Sequence, residues 1–261
     1  MDFLERVVGE RRADMAGRTA AAVQARPPGR FRDALLASRA RGRLAVIAEV
    51  KRVSPALGAL DTAVDPVAQA RAYAAAGASA ISVLTEPRHW GGRTEDVVAI
   101  RAALPDVPIL WKDVVISEAQ VADAAGAGAD AVLLIAEALD DVELRALMDA
   151  ARRLGLEPFV EAHEPDAFAR AIASGALVVG ANARDLRVPA EIDRSRAATL
   201  APLVSAGQLF VAESGIESAD DARRLPARAD AILVGTALMR AADPGPLLRE
   251  LSSIKRGVEV A

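Results

Sequence analysis

Short apolar runs and longer Ala/Arg/Glu/Leu stretches alternate eight times along this chain, and no other feature restricts its fold as strongly. The apolar runs fall near Ala45–Val50, Ala80–Leu84, Ile109–Trp111, Ala131–Ile135, Pro158–Val160, Leu177–Val179, Leu209–Ala212 and Ala231–Val234. Runs of this length, rich in Val, Ile and Leu, read as parallel strands buried on both faces. The stretches between them predict helices at about 65–76, 93–103, 117–125, 140–154, 164–174, 194–203, 217–224 and 244–254. One local phrase recurs before three of the strands: Gly77-Ala78-Ser79-Ala80, Gly128-Ala129-Asp130-Ala131 and Arg228-Ala229-Asp230-Ala231. Small residues there suit a tight turn from a helix end into a buried strand.

Eight such units in about 215 residues fit a (β/α)8 TIM barrel better than a doubly wound sheet. The doubly wound alternative also lacks a Gly-x-Gly-x-x-Gly after the first strand. Residues 1–44 stand outside the repeat as an N-terminal helical extension. They predict a helix at about 2–24, a break at Pro27-Pro28-Gly29 and a second helix at about 31–40. The extension either plugs one end of the barrel or acts as a lid over its active face. No linker separates it, so residues 1–261 are expected to be a single domain, with the barrel over 45–261.

Composition narrows the chemistry. The absence of Cys excludes disulfides, thiolate catalysis and Cys-ligated metals. With only His89 and His163, no poly-His metal site is expected. His163 is expected to be solvated or to cap a helix, and His89 to face solvent. A hydrophobic content of 52% with a formal charge of -4 excludes a disordered chain. The same charge balance gives no footprint for nucleic acid. The first twenty residues are too charged for a secretory leader, and no apolar run is long enough to cross a bilayer. A cytoplasmic protein with no membrane partner is the expectation.

In such a barrel the C-terminal strand ends face the active site. Those ends read Glu49-Val50-Lys51, Thr85-Glu86, Lys112-Asp113, Glu137, Glu161-Ala162-His163, Asn182-Ala183-Arg184-Asp185, Glu213-Ser214-Gly215 and Gly235-Thr236. Glu49 and Lys51 share one face of an extended segment. Taken singly, Glu49 and Glu161 read equally well as solvated strand ends, and Lys112 as a snorkelling surface lysine. Two carboxylates and two ammonium groups converging on one mouth are harder to explain as structure, because burial is costly unless they pair. Ser214-Gly215 and Gly235-Thr236 form adjacent turns ahead of helices. That is where barrels of this type hold a phosphate. Arg184 is a candidate to add charge-assisted bonds. Trp90 either covers a substrate ring or packs its own loop.

These strand ends, in this order, resemble indole-3-glycerol-phosphate synthase. The likeness runs from about residue 4 to residue 251. It rests most firmly on Glu49-Val50-Lys51-Arg52-x-Ser54-Pro55, Lys112-Asp113 and Asn182-Ala183-Arg184. The resemblance implies closure of 1-(2-carboxyphenylamino)-1-deoxyribulose 5-phosphate to indole-3-glycerol phosphate, carbon dioxide and water, without cofactor or metal. It implies Lys112 as the general acid on the ketone oxygen and Glu161 as the catalytic glutamate, with Glu49, Lys51 and Asn182 beside them. Ser54, Arg184 and Glu213 would complete the substrate site, and Ser214, Gly215, Gly235 and Thr236 would cradle the phosphate. The implied partner is a small phosphorylated substrate, the chain being a monomer or weak homodimer.

The likeness has departures. The first loop reads Ser54-Pro55-Ala56-Leu57-Gly58 where the family often has Ser-Pro-Ser. The loop after the second strand reads Trp90-Gly91-Gly92-Arg93-Thr94 where an aromatic-x-Gly-Ser-Leu run is common. Val114 stands where the family usually carries Phe against the substrate ring. Two alternatives follow: a paralogue for a substituted anthranilate adduct, or a catalytically silent barrel that binds a phosphorylated metabolite.

Overall fold

The apolar runs form eight parallel strands: β1 (Ala45–Val50), β4 (Ala80–Leu84), β5 (Ile109–Lys112), β6 (Ala131–Ile135), β7 (Glu157–Ala162), β8 (Val178–Asn182), β9 (Leu209–Glu213) and β10 (Ala231–Val234). Two short antiparallel strands, β2 (Val53–Ser54) and β3 (Gly58–Ala59), make a hairpin in the loop after β1. A computed structural model describes residues 1–256 of the chain; the expected barrel end at 257–261 lies outside the described residues. The strands pair in chain order and close, with β10 returning to β1 through Ala45↔Ala231 to Ala48↔Val234. The barrel is therefore the (β/α)8 fold, and its strands are buried almost throughout because helices cover the outside and side chains fill the inside.

Helices α3 (Pro66–Ala75), α4 (Thr94–Ala103), α5 (Glu118–Ala127), α6 (Asp141–Arg153), α7 (Pro165–Ala173), α8 (Arg196–Leu200), α9 (Ala219–Arg223), α10 (Thr236–Arg240) and α11 (Gly245–Ser253) form the outer layer. Their starts are written locally. Asp65 accepts from the Val67 and Ala68 N–H groups with Pro66 at the first position, and Asp140–Glu143 and Ser218–Asp221 form capping boxes.

The recurring phrase before three strands does more than turn the chain. Ser79 Oγ accepts the Val46 N–H at 3.2 Å, Asp130 Oδ2 the Ile109 N–H at 2.9 Å, and Asp230 Oδ2 the Phe210 N–H at 2.8 Å. In each case the residue ahead of one strand staples the start of the preceding strand in the barrel. A backbone donor buried at the barrel base is thereby satisfied.

The extension reaches both ends of the barrel. Helix α1 (Phe3–Met15) lies at the C-terminal face, where Phe3 and Leu4 line the central cavity. Helix α2 (Arg30–Ala40) crosses the opposite end, where Phe31 is fully buried against Phe159 and Ser38 meets Ser79. The first helix ends at Met15, not near residue 24 as expected. Gly17 turns with φ 73°, and residues 16–22 are exposed, so no packing rewards continuing the helix. That segment instead runs down the barrel side, with Arg18 on Asp123 and the Arg26 N–H on the Leu154 carbonyl.

Candidate active site

A cavity of about 440 Å³ opens at the C-terminal ends of the strands. All thirteen residues singled out from the sequence line it: Glu49, Lys51, Ser54, Trp90, Lys112, Glu161, Asn182, Arg184, Glu213, Ser214, Gly215, Gly235 and Thr236. Its charged floor is built by residues from β1, β5, β7 and β9. Lys112 Nζ lies 3.1 Å from Glu161 Oε2 and 2.9 Å from Glu213 Oε2, and both carboxylates are nearly inaccessible. Lys51 Nζ lies 2.9 Å from Glu49 Oε1.

Burial works against the Lys112 ammonium, but Glu161, Glu213 and Glu49 more than reverse it, so the group is held firmly charged. Burial and the adjacent Glu161 push the Glu213 carboxyl well up, with Lys112 pulling the other way. Glu213 is thus harder to ionise than an ordinary glutamate, and its Oε1 has no hydrogen-bond partner among the described residues. Two carboxyl groups and one ammonium in contact, with one carboxyl raised above its ordinary range, are suited to passing protons among themselves.

Small residues make room for this cluster. A Cβ on Gly180 would run into Glu213 Oε1 and come within 2.7 Å of Phe159 Cε2, and one on Gly235 would run into the Glu49 carboxylate. At one end of the cavity Ser214 and Gly215 both take positive φ, 64° and 72°, and Ser214 is the single non-Gly residue among those described to do so. Both residues line the cavity, so this tight turn brings main chain to its edge. Gly235 and Thr236 open α10 beside it. Arg184 lies behind, its guanidinium on the Pro189 carbonyl and its own N–H on Asn182 Oδ1 at 3.0 Å. Asn182 thus orients the loop after β8.

The opposite wall is apolar. Leu84, Leu133, Ile135 and Val114 come from the barrel, and Phe3 and Leu4 from α1. Sequence reasoning offered the extension as a lid over this face but named no residue of it; the signal available was an aromatic and a leucine opening an extension in a chain with only eight aromatic residues. Trp90 closes the edge, with Phe3 edge-on at 5.8 Å between ring centres. Its loop is held by Glu86, whose carboxylate accepts the N–H groups of Arg88, His89 and Trp90 at 3.1, 2.6 and 3.1 Å.

The two histidines differ from expectation. His163 is fully buried between the loops after β6 and β8, with Nδ1 3.1 Å from Glu137 and Nε2 3.2 Å from Asp185, although neither ring nitrogen forms a hydrogen bond of good geometry. His89 Nε2 meets Glu10 of α1 at 2.6 Å rather than simply facing solvent. His163, Glu164 and Asp185 present ligand-type atoms within 4.8 Å of one another, but Arg187 already pairs with Glu164 at 2.7 Å and Asp185 at 3.1 Å.

Residues 4–251 match the family model described as indole-3-glycerol phosphate synthase. The chain belongs to the indole-3-glycerol phosphate synthase family. A relative of that name from a Nocardioides species is 47% identical over 98% of this chain and 100% of its own. The synthase of a Parafrankia species is 45% identical, covering 96% and 95%, and indole-3-glycerol phosphate synthase 1 of Streptomyces coelicolor is 40% identical over the same shares. Among solved structures, a 3-hexulose-6-phosphate synthase superposes with TM-score 0.62 at 18% identity, over 80% of this chain and 99% of that one. The tryptophan synthase alpha chain of Legionella pneumophila gives 0.61 at 14%, over 85% and 95%. These two share the fold. No helix among the described residues is long and apolar enough to cross a membrane.

Proposed function

We propose that this cavity converts 1-(2-carboxyphenylamino)-1-deoxyribulose 5-phosphate to indole-3-glycerol phosphate, carbon dioxide and water, with Lys112 as the general acid. The observation that carries the reading is the Lys112 ammonium seated between Glu161 and Glu213, with an apolar wall on one side and the Ser214–Gly215 turn on the other. The phosphate would sit on that turn and on Gly235-Thr236, with the aryl ring against Leu84, Val114, Leu133 and Trp90.

The ring carbon bearing the carboxylate attacks the ketone carbon, and a carbon–carbon bond forms. Negative charge develops on the ketone oxygen, and Lys112 delivers its proton there. The carboxylate leaves as carbon dioxide, its bonding pair restoring the aromatic ring. The new hydroxyl leaves as water with one proton from an acid, while a base takes one proton from the nascent five-membered ring. Glu161 and Glu213 surround Lys112 and can exchange those protons; Lys51, paired with Glu49, is the second ammonium in reach of the mouth.

The test is indole fluorescence on mixing enzyme and substrate. Replacing Lys112 with Met should lower turnover about 10³-fold or more while product binding stays measurable. Full activity in that variant would remove Lys112 from the role.

A further inference from the structure

The strand that carries Lys112 is paired on both sides, but its last residue is paired on one side only. Between β5 and β6 the register pairs are Leu110↔Ala131 and Trp111↔Val132, and the ladder stops there. On the β4 side it continues to Leu84↔Lys112, with the Thr85 N–H on the Lys112 carbonyl at 3.0 Å. Lys112 and the residues after it therefore have no ladder partner toward β6.

The next side chain supplies the missing hold. Asp113 is buried, and its Oδ1 accepts the Val114 N–H at 2.7 Å. Its Oδ2 accepts from Arg11 Nη2 at 2.7 Å and from the Thr85 hydroxyl at 3.4 Å. Arg11 belongs to α1 and is itself 6% exposed, an unusual place for an arginine without a fixed partner. Around the pair stand Asp14, 3.6 Å from Arg11, and the buried Glu86. Burial pushes the Asp113 carboxyl up to about 7, with Arg11 pulling it down and Glu86 raising it. Arg11 is thus the cation that keeps this carboxylate in place.

We infer that Arg11, acting through Asp113, is a positioning residue for the reaction: it fixes the free end of β5 and so sets where the Lys112 ammonium and the Val114 wall stand. The extension is then a working part of the site, although Arg11 does not touch the cavity. The inference rests on the reading of Lys112 as the acid. Misplacing a catalytic group by about 1 Å costs roughly a hundredfold in rate.

The experiment uses the full chain with R11M, R11K and D113N, each checked for folding by circular dichroism and thermal melting. In folded R11M, kcat should fall roughly ten- to a hundredfold and by more than KM rises, because the acid is misaligned while the phosphate contacts remain. R11K restores the charge and should recover a large part of that loss. D113N should resemble R11M, and R11M/D113N should be no worse than either single variant, since the two act as one unit. Wild-type kcat in folded R11M would overturn the inference. So would losses in all variants that track only the folded fraction, which would make the pair a structural bracket. Absence of turnover in the wild type would instead overturn the reading of the site itself.

Discussion

Gly180 shows how closely the acid–base cluster is packed. Any side chain there must displace Glu213 or Phe159. Gly180→Ala should therefore push Glu213 away from Lys112 and lower kcat by about tenfold or more, with a stability cost of about 1–3 kcal/mol from overpacking. Steady-state kinetics and urea denaturation read the two effects separately; an unchanged kcat would mean Glu213 can shift without consequence. Val114 offers the opposite case, a position with room. It lines the apolar wall two residues from Lys112. Val114→Phe should fill that wall and cut kcat/KM for ring-substituted substrates more than for the plain one, the two being compared by the fluorescence assay. Equal changes for both would show that the substituent points elsewhere. Every candidate residue of the floor was readable from the sequence, because strand ends in this fold face one way and the residues there are charged. The wall was less readable. Leu84, Leu133 and Ile135 look like any core residues, and only their place at the inward-facing strand ends makes them part of a site. His163 was misjudged for a related reason: its two carboxylate partners, Glu137 and Asp185, come from other loops.

Strands were legible almost to the residue because buried parallel strands are unbroken apolar runs between small-residue turns. The first, second, fourth and eighth apolar runs coincide with β1, β4, β6 and β10. Others fell short at their polar ends; Lys112, Asn182 and Glu213 continue strands that hydropathy alone would stop. The extension was legible as two helices but not in its first length, since Ala-rich residues 19–22 have helical propensity and nothing to pack against. The recurring phrase carried a role that spacing alone does not reveal, the acceptance of a neighbouring strand's N–H by Ser79, Asp130 and Asp230. These staples should differ in cost. Ser79→Ala removes a neutral acceptor and should cost about 1 kcal/mol. Asp130→Ala strips the Ile109 N–H and leaves the mostly buried Arg101 without its carboxylate, and should cost about 3–5 kcal/mol. Urea melts of the two variants give the comparison, and equal losses would mean that the charge at Asp130 adds nothing to the hydrogen bond.

Along its path from mouth to base the extension touches α1-facing loops, the barrel side and the barrel floor. Arg11 on Asp113 and Phe3 on Trp90 hold the upper end; Arg18 on Asp123 holds the middle; Phe31 on Phe159 and Arg39 on Asp230 hold the lower. Such a strap has no core of its own apart from the barrel, which favours one cooperative unit over the described residues 1–256. Trp90 and Trp111 make this testable. Trp90 packs against Phe3 of the extension, whereas Trp111 is buried on β5. Tryptophan fluorescence and far-ultraviolet circular dichroism should therefore report the same thermal midpoint, the signature of an all-or-none transition. Product at a hundred times its Kd adds about 2.7 kcal/mol and should raise both midpoints together by about 5–10 °C. If the extension were an independent piece, Trp90 would lose Phe3 first, fluorescence would change below the circular dichroism midpoint, and product would shift the later transition more than the earlier. That split would refute the single unit, and with it the expectation that a change at Arg11 is felt at Lys112.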